Sequence, residues 1–587
     1  MTACIDHPLP KGSQDTSVYD VAIVGMGPTG LVLAHALGMN GHRVVVLEKE
    51  PVFYGNARAV YTDDECMRIF QSLGIAKEVQ AQMMMDTPVQ FVRPDGSLMA
   101  QYMPLSRYFG WPVVNFFYQP YLETTLSSQL ARYPHVEVRR GREVVDFSQD
   151  EAAVTVTHQA TQEVRFTEFG DSRKLTRGDL DAQTLRARYL VGCDGGRSVV
   201  RTKLGIDMTG KNFPEPWLVV DLQRKPGVDG LRHLPYFNFV VDPALPVVSC
   251  VQPDGFHRFE FMLMPGETKE NMERPETVRH YLSRFIDPDQ FEIKRRLVYT
   301  FNALMAKAWR RDRVLLAGDA AHMTPQFMGQ GASSGIRDAY NLGWKLDLIL
   351  KGQVSERVLD SYEKERKAHA QAMIDVSVLL KDIVSMTHPV GTLVRDAFIA
   401  VSQSIGPLKR FFRDGGFKPL PVYKRGSYLG MPRSGLRGPE GVLSPQPEVR
   451  LFDSTRVLLD DVMGPGFSLI GLNVDPREYL DGTSTRMLES LGASFVTLYA
   501  YGERPQGLQG VERDVRLGTL EVEDIGGVMV EWFRKAGFKD RAVAVLRPDK
   551  FTFGVVQPEA LPKVLSELAH QFDVAASNVV HLPREAA

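Results

Sequence analysis

Val21-Ala-Ile-Val-Gly25-Met-Gly27-Pro-Thr-Gly30 is the stretch that decides the fold. Its β-branched start suits a buried parallel strand, and glycines at 25, 27 and 30 follow directly. Leu31, Leu33, Ala34 and Leu37 then read as a helix closed by Gly41, ahead of a second strand from Val44 to Leu47. In such a strand-turn-helix-strand unit Gly25 permits the tight turn, Gly27 lets a pyrophosphate approach the backbone, and Gly30 lets helix and strand pack closely. The amides at the helix start would face the phosphates. Glu48 ends the second strand, where a carboxylate accepts ribose hydroxyls and repels a 2′-phosphate. That favours FAD or NAD over NADP as the bound dinucleotide. An isolated glycine triplet is often only a turn; the flanking strands and Glu48 supply the context that a fingerprint needs.

A distant stretch chooses between the two. Arg313 to Ala317 reads as another buried strand, and Gly318-Asp319-Ala-Ala-His322 puts a carboxylate at its carboxyl end, where ligands sit in open α/β sheets. After Pro325, the turn Gly329-Gln-Gly331-Ala332 opens a helix through Ile336, Ala339, Leu342 and Leu346, with Ser333 or Ser334 as the expected N-cap. A helix start carries about half a positive charge. It would favour the negative charge of a reduced isoalloxazine, and so FAD. The plainer alternative is a loop and surface helix with Asp319 as a cap.

The whole chain sets bounds. Its 587 residues allow roughly three or four domains. A net charge of −2 gives no basic field for nucleic acid or a membrane surface. No apolar run approaches the roughly 20 residues of a membrane span. Met1 to Tyr19 lacks the apolar core of a signal peptide and reads as a disordered leader over 1–18. The four cysteines, at 4, 66, 193 and 250, show no paired spacing, so no metal site is expected, and a reducing cytoplasm fits.

The three motifs, with Asp194-Gly-Gly-Arg-Ser198-x-x-Arg201 between the other two and Asp338-Ala-x-Asn341-Leu-x-Trp344-Lys345-Leu346 after them, resemble the single-component FAD-dependent aromatic hydroxylases. Phe109-Gly-Trp-Pro112, Arg258-Phe-Glu-Phe-Met262, Met264-Pro-Gly-Glu267 and Phe417-Lys-Pro419 are similar to the subgroup acting on 3-(3-hydroxyphenyl)propionate. The resemblance implies a monooxygenase that uses FAD, NADH or NADPH and O2. It would ortho-hydroxylate a phenol, 3-(3-hydroxyphenyl)propionate or 3-hydroxycinnamate, to the catechol in aromatic degradation. Alternatives are a hydroxylase of another phenol, resorcinol-like or polyketide, and a flavoprotein that does not hydroxylate. It also implies roles: Gly25, Gly27, Gly30 and Glu48 on the ADP half, Arg58 at the phosphates or ribityl chain, and Gln119 on the flavin. Asp194 would serve the pyrophosphate and nicotinamide side and Asp319 a ribityl hydroxyl. Pro325 would place a carbonyl over the reactive face, and Gly329, Gly331 and Ala332 the flavin turn. Each has an ordinary alternative: a solvated arginine, a strand-end glutamine, or, for Asp194, a turn former before Gly195.

The implied fold is α/β: a Rossmann-like FAD-binding domain with an inserted antiparallel substrate sheet, then a thioredoxin-like α/β domain without cysteines. The FAD-binding domain would span 19–425, using about 19–95, 186–210 and 300–425, with substrate segments at about 96–185 and 211–299. A Pro/Gly-rich linker would cover 426–447 and the last domain 448–587, where the lack of cysteine excludes thiol redox chemistry and leaves packing or a homodimer contact. Substrate candidates are Tyr236, Phe239, Gln252 and Arg258; ordinary sheet core or a solvated arginine is the competing reading for each. No residue stands out as the base or as the contact for a substrate carboxylate.

Overall fold

The computed structural model describes residues 18–52, 58–161, 182–430, 438–505 and 519–574. The expected leader apart from Val18, and part of the linker, lie outside the described residues. The fingerprint strand Val18–Val24 lies at the centre of a parallel sheet, flanked by Val44–Glu48 and Gln183–Gly192, with Val136–Arg140 and Val314–Leu316 beyond them. Over it, helices Pro28–Gly38 and Gln330–Leu350 cross closely. A Cβ on Gly335 would strike Thr29 Oγ1, and one on Gly343 would lie 2.8 Å from Ala36 Cβ. The two turns that open these helices are thereby held side by side.

The second sheet has eight strands in the order His322–Met323, Phe291–Ala306, Met208–Arg224, Phe256–Met262, Val247–Val251, Phe237–Val240, Val89–Val92 and Leu98–Tyr102. It is antiparallel except where Phe237–Val240 runs parallel to Val89–Val92. Three differences from the segment assignment follow. His322–Met323, expected on the flavin side, is an edge strand of this sheet. Val89–Val92, expected on the flavin side, belongs to this sheet. Val136–Arg140, Arg142–Gln149 and Val154–Ala160, expected in the substrate sheet, extend the flavin sheet. Their mixed apolar and polar pattern comes from lying at the half-exposed margin of a sheet, and edge position gives the same alternation as an antiparallel core strand.

The last domain carries the βαβ unit Ser468–Leu472, Gly482–Ser490, Ser494–Ala500, then the hairpin Ala542–Leu546 with Thr552–Val556 and a closing helix Leu561–Phe572. This is the thioredoxin-like arrangement. It docks through Trp344, which meets Phe467 and Phe572 at ring distances of 6.3 and 5.9 Å. Beside it, fully buried Arg547 donates to Glu365 Oε1 at 2.6 Å and to Asp549 Oδ2 at 2.6 Å, and Lys345 Nζ donates to Glu365 Oε2 at 2.7 Å. Two cations and two carboxylates thus cancel in an interior where none could stand alone.

Candidate functional site

The two sheets enclose one cavity of about 1230 Å³, and the glycine turns and the aromatic strands open into it together. At the flavin end each fingerprint glycine has its own reason. Gly25 has φ +98° and a Cβ there would come 2.5 Å from the Cys193 carbonyl oxygen; a Cβ on Gly30 would strike the Gly25 carbonyl. Gly27 differs: it lines the cavity and a Cβ on it would meet nothing within 4 Å. That open space is what a pyrophosphate needs.

Around the turn, Glu48 accepts hydrogen bonds from the Met26 amide at 2.7 Å and the Glu50 amide at 2.9 Å while bordering the cavity. Asp319 also lines the cavity, and its carboxylate accepts no hydrogen bond from a described residue; burial raises its pKa. A half-buried carboxylate left without a donor fits a ligand that brings hydroxyls. Its turn is fixed from behind, where Asp338 accepts from His322 Nε2 at 2.6 Å, Arg366 Nε at 2.8 Å and the Gly318 amide at 3.1 Å. Gly329, with φ +63°, caps helix Gln330–Leu350 without any side-chain bond, so first-turn amides near Gly331 and Ala332 remain free at the cavity wall. Ser333 and Ser334, expected as N-caps, instead lie inside the helix and are buried, because the chain enters through the left-handed Gly329, four and five residues earlier. Cavity, free amides, unpartnered Asp319 and open Gly27 together fit FAD.

Other expected residues hold the walls. Gln119 accepts from the amides of Arg58 and Ala59 at 2.6 and 2.7 Å, and donates to Glu123, whose carboxyl burial pushes up to about 7. Asp194 lines the cavity, yet its carboxylate accepts from Ser198 Oγ at 2.6 Å and the Val199 amide at 2.7 Å, holding the first turn of a short helix. Arg58 borders the cavity and its carbonyl accepts from Arg258 Nη1 at 2.7 Å. Pro325 is absent from the lining; its carbonyl accepts from Ser377 Oγ on helix Asp360–Val384.

At the other end the lining is aromatic. Phe116 and Phe237 stack at 5.4 Å, Phe239 meets Phe237 and Phe91 at 5.0 Å each, and Tyr102 meets Phe417 at 5.5 Å. Of the four substrate candidates, Phe239 and Arg258 border the cavity and Tyr236 and Gln252 do not. Strand alternation explains Tyr236, since Phe237 and Phe239 share the cavity face and their even-numbered neighbours take the other. Gln252 lies past the end of Val247–Val251, where the chain turns. Arg258 is held by Asp221, at 2.6 Å, which also binds Arg295 at 2.8 Å.

Sequence reasoning missed Glu260, Gln326 and most of the aromatic floor. Glu260 lines the cavity at 4 % exposure, accepts from Gln326 Nε2, and burial raises its carboxyl to about 7 against the pull of Arg258. The available signal was a lone acid between two phenylalanines, Phe259 and Phe261.

A family described as FAD binding domain matches residues 18–377, and one described as HcaD C-terminal domain matches 441–571. A 3-(3-hydroxy-phenyl)propionate/3-hydroxycinnamic acid hydroxylase of Klebsiella pneumoniae is 36% identical over 568 residues, covering 97% of each chain. One of the same description from Paraburkholderia xenovorans is 36% identical over 94% of this chain and 91% of its own. Among solved structures, the flavin-dependent monooxygenase PieE in complex with FAD and substrate superposes with a TM-score of 0.75 at 21% identity, covering 95% of this chain and all of the other.

Proposed function

The chain belongs to the FAD binding domain family and is an FAD-dependent monooxygenase, and from that premise we propose that its substrate is 3-(3-hydroxyphenyl)propionate or 3-hydroxycinnamate, hydroxylated ortho to the phenol. The observation that carries this is a single cavity in which an unpartnered carboxylate and free helix-start amides face a floor of phenylalanines. Bound there, FAD reduced by NADH or NADPH supplies an activated oxygen atom from O2. The chain's own residues do the rest. Glu48, Asp319 and the turns at Gly27 and Gly331 hold the cofactor, and Arg58, Gln119 and Asp194 shape its surroundings. Phe237, Phe239 and Phe116 hold the ring flat and keep water out, which protects the activated oxygen from being lost as peroxide. With one fingerprint in the chain, the nicotinamide visits without a Rossmann domain of its own. The setting is the cytoplasm; no helix among the described residues is long and apolar enough to cross a membrane.

A second reading, a phenol that carries no carboxylate, is favoured by Lys418. This cation borders the aromatic end but is already held by Asp63 at 2.9 Å and Glu65 at 3.0 Å. Product analysis on a panel of meta-substituted phenols, with and without a carboxylate side chain, separates the two. Substrate-stimulated NAD(P)H oxidation yielding a catechol only from the phenylpropionate and cinnamate members supports the first; catechols only from neutral phenols overturn it.

A further inference from the structure

The register of the substrate sheet sets one row of side chains across the cavity floor. Phe91 pairs with Phe239, Phe239 with Val248, Val248 with Glu260, Glu260 with Val219, and Val219 with Leu297. All six line the cavity, and Glu260 is the one ionisable group among them. A charge set in an apolar row is costly to fold, so its presence on a binding surface asks for a use. We propose that Glu260 is the group that accepts the proton of the substrate's phenolic hydroxyl, an inference that rests on the hydroxylase reading above.

The geometry leaves this carboxylate half committed. Oε2 accepts from Gln326 Nε2, which comes from the loop just ahead of the Gly329 turn. Oε1 accepts no hydrogen bond, and the Arg258 guanidinium lies 3.9 Å from it. Facing it from the neighbouring strands are Asp221, Arg295 and Cys250, the first two paired with each other and Asp221 also with Arg258. A phenol ring lying on Phe239 and Val248 would thus bring its hydroxyl to an open oxygen beside the flavin turn. Burial has lifted the carboxyl to about 7, nearer than an ordinary glutamate to a phenol of about 10. The remaining gap leaves the proton on the phenol in the resting complex and lets it pass to Glu260 as the ring reacts.

The step balances. The phenolic proton passes to Glu260 Oε1, and its electron pair stays on oxygen and feeds the ring. The ortho carbon forms its bond to one oxygen atom of O2, transferred as hydroxyl, while the O–O bond breaks and the second oxygen atom leaves as water; bound FAD would supply the two electrons for that cleavage from NADH or NADPH. That carbon then releases its hydrogen as a proton to water, Glu260 returns its proton to the first oxygen, and the catechol leaves an ionised carboxylate.

The test compares wild type, Glu260→Gln and Glu260→Asp holoenzymes. In Glu260→Gln we expect hydroxylation kcat to fall about 100-fold with FAD content retained, and the rise of kcat through pH 7 to disappear. Glu260→Asp should restore part of the rate, and fluorinated phenols, which are more acidic, should narrow the deficit of Glu260→Gln. A second readout needs no turnover: the anion band of a bound nitrophenol, present in wild type, should be lost in Glu260→Gln. A twofold or smaller change in kcat with an unchanged pH profile, or an anion band retained in the variant, overturns the proposal. A wild type that yields no catechol from any phenol sinks the hydroxylase reading instead, while the nitrophenol band still decides whether Glu260 takes the proton.

Discussion

The two ends of the cavity are built from different parts of the chain's chemistry. At the flavin end the recognition surface is mostly backbone: turns at Gly25, Gly27 and Gly329, helix-start amides, and one open carboxylate at Asp319. At the substrate end it is entirely side chain, a floor assembled from strands far apart in sequence. Backbone sites tolerate little change and signal themselves by glycine. Side-chain sites can be rewritten residue by residue, which suits a fold that must hold one cofactor and many possible phenols.

The comparison breaks first, if it breaks, at the glycines. Gly30→Ala drives a Cβ into the Gly25 carbonyl and should leave no stable folded protein, a loss above about 4 kcal/mol. Gly27→Val, with open space around its Cβ, should fold with Tm near that of FAD-free wild type yet bind no FAD. Thermal melts and flavin absorbance on both variants check this; a yellow Gly27→Val protein would refute the backbone account. Next in size, Asp319→Ala should weaken FAD by about 1.5–3 kcal/mol, the worth of a hydrogen bond to a charged group, read by fluorescence titration. At the opposite end, Phe239→Ala should raise KM for the phenol about tenfold, through lost apolar burial, with FAD affinity unchanged. Were FAD affinity to fall as well, the two ends would not be separable.

The smallest effect is a pH slope at the flavin end. Glu123 has its folded-state pKa raised from 4.5 to about 7 by burial, so the folded chain binds more protons than the unfolded one between those values. Its contribution is therefore fullest below 4.5 and is lost as pH rises through about 7. Glu123→Gln keeps an acceptor for Gln119 and should match wild type at low pH, then exceed its Tm by about 2 °C above neutrality, since a kcal/mol moves a large protein only a few degrees.

The same contrast explains what could be read from the chain. The fingerprint strand, its helix, the strand ending at Glu48 and the Gly318-Asp319 turn were legible because each is local, with the reason for every residue within a few positions of it. The last domain's strands are of the same local kind, short apolar runs bounded by glycine or charge. Glu260 was not, because its importance arises from register: only when Val248 and Val219 are known to flank it does one acid in an apolar row become visible. The margin strands from Val136 to Ala160 were given to the wrong sheet because edge exposure and antiparallel packing write the same alternation. Pro325 carried a role from resemblance that its own carbonyl, bonded to Ser377, does not display.

The quartet of Lys345, Glu365, Arg547 and Asp549 has a practical corollary for anyone shortening this polypeptide. A chain ended near residue 440 would surrender Arg547 and Asp549 together, leaving Lys345 and Glu365 in a wall suddenly open to solvent, with Trp344 stripped of Phe467 and Phe572. The thiol-free appendage is thus no detachable module. It supplies part of the flavin half's own interior, and an excised catalytic fragment should emerge from expression as aggregate.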